Sequence, residues 1–363
     1  MIMKAAVLYR LHDGLRVESV DLGPPRQGEV LVRIAACGVC HSDLHVIEGS
    51  LPYPLPVVLG HEGAGVVEET GPGVSYVRPG DHVILSFVPT CGRCRYCAAG
   101  KPHLCSGYRT ESGALADSTR RLNHSGQEIN HFLMLSAFAE YAVVPEASLV
   151  KIRPDIPLDK ACLIGCGIMT GVGAAMNTAK VKPGSSCLVI GCGGVGLNVI
   201  QGCALAGASQ IIAVDLLESK LEMARALGAT HSLNPSSADV LSAVRDFTDG
   251  GVDYAFEVIG KAETVQLAFR CTGRGGLTVV VGLSPRGSNV SLPSSSFLLE
   301  KAITGSMYGS ARPRIDMPML AGLYLSGRLK IDELITRTYS LDEVNQAFDD
   351  LRSGSIMRGV ILP

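Results

Sequence analysis

Charge is scarce in this chain, and neither sign dominates. Lys and Arg number 32 against 34 Asp and Glu, a formal charge of −2, and charged residues make up only 18% of the chain. An average soluble protein carries roughly 25%. With no excess of either sign there is no electrostatic footprint for nucleic acid or anionic lipid. The N-terminus lacks a long apolar run, so no signal peptide is expected and a cytoplasmic location is the default. There is no internal repeat and no low-complexity tract, and the 42 glycines follow no fixed period, which excludes a collagen-like chain. What is plentiful is apolar residue, 47% of 363 positions. A chain of this length buries a core without disulfides, and two domains are the prior.

One charge-free stretch, 183–214, is long enough to span a bilayer. Its glycines, Asn198, Gln201 and Gln210 split it into two short apolar runs, 187–191 and 211–214, around a helical segment. Buried parallel strands flanking a helix have this pattern, so no membrane span is expected.

Residues 1 to about 165 are rich in Val, Gly and Pro, with short apolar runs (29–34, 65–69, 82–87) between turn signals such as Gly71-Pro72-Gly73 and Pro79-Gly80. An antiparallel β domain follows. Beyond about Gly167 the rhythm changes to strand–helix alternation. Strands are expected at 187–191, 210–215, 231–233, 252–258, 277–282 and 302–308, with helices at 194–206, from 218, 236–248 and 262–270. This predicts a doubly wound parallel sheet. The tail from about 309 is expected to carry one helix, 341–351, and a last strand, 359–362, and to return to the first domain. Segment 106–131 reads as a long polar loop.

The twelve cysteines are unevenly spread, and four lie within 91–105. Cys91, Cys94, Cys97 and Cys105 have the spacing C-x2-C-x2-C-x7-C, which brings four thiolates onto one tetrahedral Zn²⁺ with no open position, a structural site. An iron–sulfur cluster is the alternative for this spacing. A second set is dispersed: Cys40 in Gly38-Val-Cys-His-Ser-Asp43, His61 and Glu62 in Gly60-His-Glu-Gly63, and Cys166 in Gly165-Cys-Gly167. Two cysteines and one histidine leave a zinc position open for water or substrate. Taken singly, a buried cysteine is more often packing; the case rests on their occurring together with the next motif.

That motif is Gly191-Cys-Gly193-Gly194-Val195-Gly196, placed after an expected strand and opening an expected helix. Its glycines make the turn, admit a pyrophosphate and pack helix on strand. Asp215 follows Gly196 by 19 residues, where an acid takes ribose hydroxyls and repels a 2′-phosphate, favouring NAD over NADP. Lys220 is close enough to brace the adenosine ribose.

With these motifs in family order, together with Phe256-Glu-Val-Ile-Gly260, the chain resembles the zinc-dependent alcohol dehydrogenases of the medium-chain dehydrogenase/reductase superfamily over essentially its whole length. The resemblance implies an α/β protein with a β-rich GroES-like catalytic domain (1–167 and 308–363, zinc lobe 91–105), a doubly wound Rossmann domain (168–307) that binds NAD, and an active site between them. It implies one catalytic zinc on Cys40, His61 and Cys166 and one structural zinc. Glu62 would be a carboxylate able to exchange onto the metal, and Asp43 would orient His61. Ser42 would accept the alcohol's proton, which leaves through His45. Arg358 would contact the pyrophosphate. His41 stands where many relatives carry a further pyrophosphate-binding arginine, which should weaken the cofactor's grip.

By the same resemblance Leu51, Phe87, Leu104, Phe132, Leu133, Val281, Leu283 and Met307 line the substrate pocket. They are apolar, so an apolar primary or secondary alcohol, oxidised reversibly to aldehyde or ketone, is expected. Glutathione-dependent formaldehyde dehydrogenase is the nearest alternative, with Arg109 matching the glutathione-binding arginine, although 48–54 lacks the expected acid pair. A zinc hydrolase leaves the glycine motif unexplained, and a silent NAD-binding protein would have lost a ligand or relay residue. The long loop favours a homodimer over a tetramer, with 302–308 able to pair edge to edge across a two-fold axis.

Overall fold

The computed structural model describes residues 1–285 and 287–363. The chain divides into two units, Met1–Cys166 with Arg312–Pro363, and Gly167–Ala311.

In the first unit, short valine-rich strands build two sheets. Ile2–Leu8, Arg16–Leu22, Leu122–His124, Gln127–His131 and Val57–Val58 close into a small barrel. The second sheet runs Leu149–Lys151, His82–Leu85, Glu62–Thr70, Glu29–Gly38, Arg358–Leu362, Ile335–Ser340, with Tyr141–Pro145 also on Glu29–Gly38. One apolar core holds Val32, Leu59, Leu85, Phe132 and Phe138, and a second holds Val7, Val20, Leu122 and Ile129. The C-terminal tail thus supplies two strands to the second of these sheets.

Segment 106–131 is not the plain loop its polarity suggests. It carries the hairpin Leu122–His124 and Gln127–His131, turned at Ser125 (φ 50) and Gly126 (φ 85). Two left-handed residues in a two-residue loop form a type I′ turn. The strands are too polar for their alternation to show. Arg121, just before the first strand, donates its N–H to His131 Nε2 at 3.0 Å, and its almost wholly buried guanidinium pairs with Glu29 at 2.6 Å and Asp117 at 2.7 Å. Breaking such a buried pair costs about 3–5 kcal/mol.

The tail also holds a helix that sequence reasoning did not anticipate, Pro313–Leu325. Pro318 inside it interrupts the helical pattern, because proline lacks the N–H that an interior turn uses. The expected last helix begins as a single turn, Leu341–Glu343, with a Ser340–Glu343 capping box, and continues as Val344–Ser353.

In the second unit six parallel strands lie in the order His231–Leu233, Gln210–Val214, Ser186–Ile190, Val252–Glu257, Thr272–Val280, Ala302–Gly305. The strand order reverses beside Ser186–Ile190, the switch point at which such sheets bind ligands. The charge-free stretch is the strand Ser186–Ile190, the helix Gly194–Leu205 and the strand Gln210–Val214, with Leu188, Ile190, Ile212 and Val214 in the core. The last strand ends at Gly305, short of the expected 308.

A second surprise is the helical run Leu158–Ala179. Its 22 residues are long and apolar enough to cross a membrane, yet 78% of its most apolar window is buried in the protein, as in a core helix. It widens into π turns at Ile164–Ile168 and Ala174–Ala179. Such turns insert one residue into a helix and are frequent at functional sites.

Candidate active site and metal centres

The strand Glu29–Gly38 runs straight into Cys40, which caps the N-terminus of the helix His41–Ile47. Its register with Glu62–Thr70 sets Gly38 opposite Glu62, so His61 and Glu62 arrive beside Cys40. Cys166 arrives on the π turn Ile164–Ile168. Gly165 lets that turn come close, since a Cβ there would sit 3.0 Å from Leu85 O. Ligand atoms of Cys40, His61, Glu62 and Cys166 all lie within 4.8 Å of one another, and all four residues are buried.

Two thiols, an imidazole and a carboxylate converging in a buried space are a donor set suited to Zn²⁺, with Zn–S of about 2.3 Å and Zn–N of about 2.0 Å. Burial of these groups without a cation is costly. One orphaned atom supports the fit: Glu62 Oε1 is buried without a hydrogen-bond partner. Asp43 Oδ2 lies 3.1 Å from His61 Nδ1, which leaves Nε2 as the ligating ring atom. Asp43 Oδ1 accepts from Gly60 N at 3.0 Å. Burial pulls the imidazole down, but Asp43 and Cys40 outweigh it and hold His61 well above its ordinary range.

Arg358, expected at a pyrophosphate, is 5% exposed and pairs with Glu62. Gly38 makes room for this pair: a Cβ there would lie 2.3 Å from Glu62 Oε2 and 3.1 Å from Arg358 Nη2. Arg358 Nε has no hydrogen-bond partner. Burial pushes Glu62 up to about 7, against the opposing pull of Arg358. The sequence placed both residues near the chemistry but gave no hint that they meet, because they are far apart in the chain.

Ser42 Oγ lies 3.8 Å from Cys40 Sγ and is half-buried. His45, one turn along the same helix, has Nδ1 3.0 Å from Ser50 Oγ and is also half-buried. His41 is exposed, its ring centroid 6.5 Å from that of His45. Phe87 and Phe132 each stand edge-on to His61, at 5.7 and 5.6 Å. Leu51, Phe87 and Leu133 pack at the half-buried edge of the core that contains Phe132. Leu104 does not join them; it is exposed on the turn before Cys105. Val281, Leu283 and Met307 belong to the second unit, and the last two are exposed.

Cys91, Cys94, Cys97 and Cys105 form the other set, half-buried, with sulfurs within 4.8 Å of one another and Cys94 Sγ 4.0 Å from Cys105 Sγ. Tetrahedral Zn–S bonds put sulfurs about 3.8 Å apart. Backbone N–H groups of Cys91, Cys94, Cys97 and Gly107 point at the sulfurs from 3.3 to 3.5 Å. Such donors stabilise thiolates, and the N–H groups of Cys97 and Ser106 draw Cys94 down to about 5.

In the second unit the glycine turn has the shape a pyrophosphate needs. Gly191 is left-handed (φ 97), a Cβ on Gly196 would meet Gly191 O at 1.8 Å, and the space above Gly193 is open. No side chain caps the helix Gly194–Leu205 at Gly193, so the N–H groups of Gly194, Val195 and Gly196 remain for an anion. Asp215 stands at the end of the next strand, with Oδ2 accepting from Cys192 N at 2.8 Å and Oδ1 from Leu217 N at 3.1 Å. Lys220 is half-buried in the helix Glu218–Ala226. Sequence reasoning gave Glu257 no role of its own. Its buried carboxylate accepts from Ile259 N, Gly260 N and Thr264 Oγ1 and so fixes the loop against which Gly191 packs.

A GroES-like β unit carrying two zinc donor sets, joined in one chain to a parallel-sheet nucleotide fold, defines a zinc-dependent dehydrogenase. The alcohol dehydrogenase GroES-like domain model matches residues 26–154, and the zinc-binding dehydrogenase model matches residues 194–323. The chain is 44% identical to an NDMA-dependent alcohol dehydrogenase of Amycolatopsis methanolica, over 100% of this chain and 99% of that one. Among solved structures, benzyl alcohol dehydrogenase of Acinetobacter calcoaceticus matches with a TM-score of 0.95 and 38% identity, covering 100% of this chain and 99% of that one. An alcohol dehydrogenase zinc-binding domain protein of Burkholderia ambifaria matches with a TM-score of 0.97 at 38% identity, over 100% and 99%. The chain belongs to the zinc-binding alcohol dehydrogenases of the medium-chain dehydrogenase/reductase superfamily.

Proposed function

We propose that the protein oxidises apolar primary or secondary alcohols, aliphatic or aromatic, reversibly to aldehydes or ketones with NAD as hydride acceptor. The observation that carries this reading is the buried Cys40–His61–Cys166 set edged by the aromatic rings of Phe87 and Phe132. Asp215, fixed by Cys192 N, supports NAD over a 2′-phosphorylated cofactor.

When bound, zinc would supply a Lewis acid for the alcohol oxygen and NAD a hydride acceptor. The chain does the rest. Cys40, His61 and Cys166 would hold the metal, and Asp43 fixes the tautomer of His61. Ser42 Oγ receives the alcohol's proton, and His45, on the outer turn of the same helix, releases it to solvent. Phe87 and Phe132 exclude water from the reacting oxygen. Arg358 pairs with one oxygen of Glu62, and the other oxygen stays within reach of the ligand set. The four-cysteine lobe would hold a structural zinc. No built subsite favours a glutathione adduct, since Arg109 is 86% exposed with Glu111 as its ion-pair partner.

We further propose a cytoplasmic homodimer. Ala302–Gly305 is an edge strand of the parallel sheet, and Phe297 and Leu298 nearby are exposed, Leu298 by 86%. Sedimentation at assay concentration tests this; a monomer rejects it.

The test of function is nicotinamide absorbance with purified protein, NAD and alcohols from ethanol to benzyl alcohol, with and without a zinc chelator, alongside NDMA as acceptor. NADH formation abolished by chelator is expected. Turnover only with NDMA, as the Amycolatopsis relative's name describes for that enzyme, removes dependence on added NAD. No turnover with either acceptor removes the alcohol reading.

A further inference from the structure

Tyr53 has no part in the chemistry above, yet its hydroxyl lies where three backbone groups meet. Leu133 N donates to it at 2.9 Å. The carbonyls of Thr110 and His131 lie 2.6 and 2.8 Å away. A phenol has one proton to give, so it serves one carbonyl at a time while its lone pair takes the Leu133 N–H. Burial pushes the phenol up to about 12, and the proton stays on throughout the physiological range.

The groups it joins belong to the turns Thr110–Ser112 and Phe132–Met134 and to His131, the end of the strand that leads into the second turn. The second is strained. Leu133 (φ 53), Met134 (φ 61) and Ser136 (φ 60) are all left-handed, and none is glycine. Such conformations persist only where the surroundings over-determine them, and they cluster at functional sites. Here two hydroxyls supply the restraint. Tyr53 holds Leu133 N from one side. Ser136 Oγ accepts from Phe132 N at 3.0 Å and donates to Val58 O at 2.8 Å from the other. The Tyr53 ring stands edge-on to Phe132 at 5.0 Å, and Phe132 stands edge-on to His61 at 5.6 Å. Leu133 sits at the half-buried edge of this cluster with Leu51 and Phe87.

We infer that Tyr53 is a specificity-determining positioning residue: its hydroxyl holds Leu133 left-handed and ties the Thr110 turn to it, fixing the apolar wall beside His61 against which larger alcohols bind. The inference rests on the reading that an apolar alcohol reacts at the Cys40–His61–Cys166 set. A two-carbon alcohol makes little use of this wall. An aromatic or longer one depends on it, and the placement of a few apolar groups changes discrimination by tenfold or more.

The test is Tyr53→Phe, which keeps the ring on Phe132 and removes the hydroxyl alone. The readouts are kcat and KM for benzyl alcohol and ethanol, with zinc content. The ratio of kcat/KM for benzyl alcohol to that for ethanol is expected to fall roughly tenfold, through KM for benzyl alcohol, with a much smaller change for ethanol and full zinc content. A ratio that stays put, or an equal fall for both alcohols, overturns the inference. Leu133→Gly gives the second arm, since glycine adopts the left-handed turn unaided. In that background Tyr53→Phe is expected to leave the ratio where Leu133→Gly alone puts it, and a further fall counts against the mechanism. The strain-relieved double variant also covers the case in which Tyr53→Phe alone does not fold. Wild-type protein inactive on both alcohols removes the alcohol reading itself; active wild type with an unmoved ratio removes only the role of Tyr53.

Discussion

The two donor sets of the first unit are built in opposite ways. Cys91, Cys94, Cys97 and Cys105 come from one short stretch, half-exposed, and their sulfurs are steadied by the N–H groups of their own loop. Cys40, His61 and Cys166 come from a strand end, a strand start and a helix and are buried, with Asp43 orienting His61 and the Glu62–Arg358 pair beside them. A local loop makes a closed site, suited to holding the fold. A site assembled from distant elements can keep one position open, because no single loop dictates the geometry. The first should therefore answer to stability and the second to activity.

The sharpest way to break this contrast is to remove one ligand from each set. Cys166→Ala should lower turnover on the order of 10³-fold, the loss of about 4 kcal/mol of Lewis-acid stabilisation, with the lobe's metal retained. Cys97→Ser should instead lower the unfolding temperature and the metal content by one, with residual activity surviving in the cold. Metal analysis, calorimetry and kinetics on both variants decide it. Equal effects on stability and turnover from the two substitutions would erase the distinction.

A smaller effect is expected at Asp43. Asp43→Asn keeps the shape but weakens the support of His61, and about 10–100-fold in zinc affinity or activity should follow. Competition with a chelator measures it, and the lobe's metal should not move. If it does, the two sets are coupled.

The smallest effect concerns pH. His131, immediately before Phe132, is buried, and burial with Arg121 and Arg120 nearby draws it down to about 3. It folds neutral, accepting from Arg121 N through Nε2. The unfolded chain takes up a proton near pH 6.5 that the folded one refuses until about pH 3. Stability is therefore complete above the unfolded value and lost as pH falls through that window. His131→Gln should flatten this loss, as read by unfolding temperature between neutral and mildly acid buffer. An unchanged slope would assign the acid sensitivity elsewhere.

The contrast also explains what could be read in advance. The lobe is legible in the spacing of four cysteines alone. The open set is legible only through co-occurrence, because each of its residues is ambiguous singly. The pairing of Glu62 with Arg358 was not legible at all: it depends on two strand registers meeting at Gly38. The parallel sheet announces itself through apolar runs and the glycine turn, whereas the hairpin after the lobe hides in polar residues and the helix Pro313–Leu325 hides behind Pro318. The left-handed Leu133 is invisible in a sequence, since what forces it is the hydroxyl of Tyr53 some eighty residues earlier.

The π turn that presents Cys166 has a consequence for how this enzyme could be lost. At 3.6 residues per turn, one residue more or fewer swings everything beyond it by about 100° around the helix axis. The aim of the cysteine is thus set by counting as well as by chemistry. Deleting a single neighbour, with every ligand still spelled correctly, would turn the thiol away from its partners. In this stretch of chain, length is under the same constraint as residue identity.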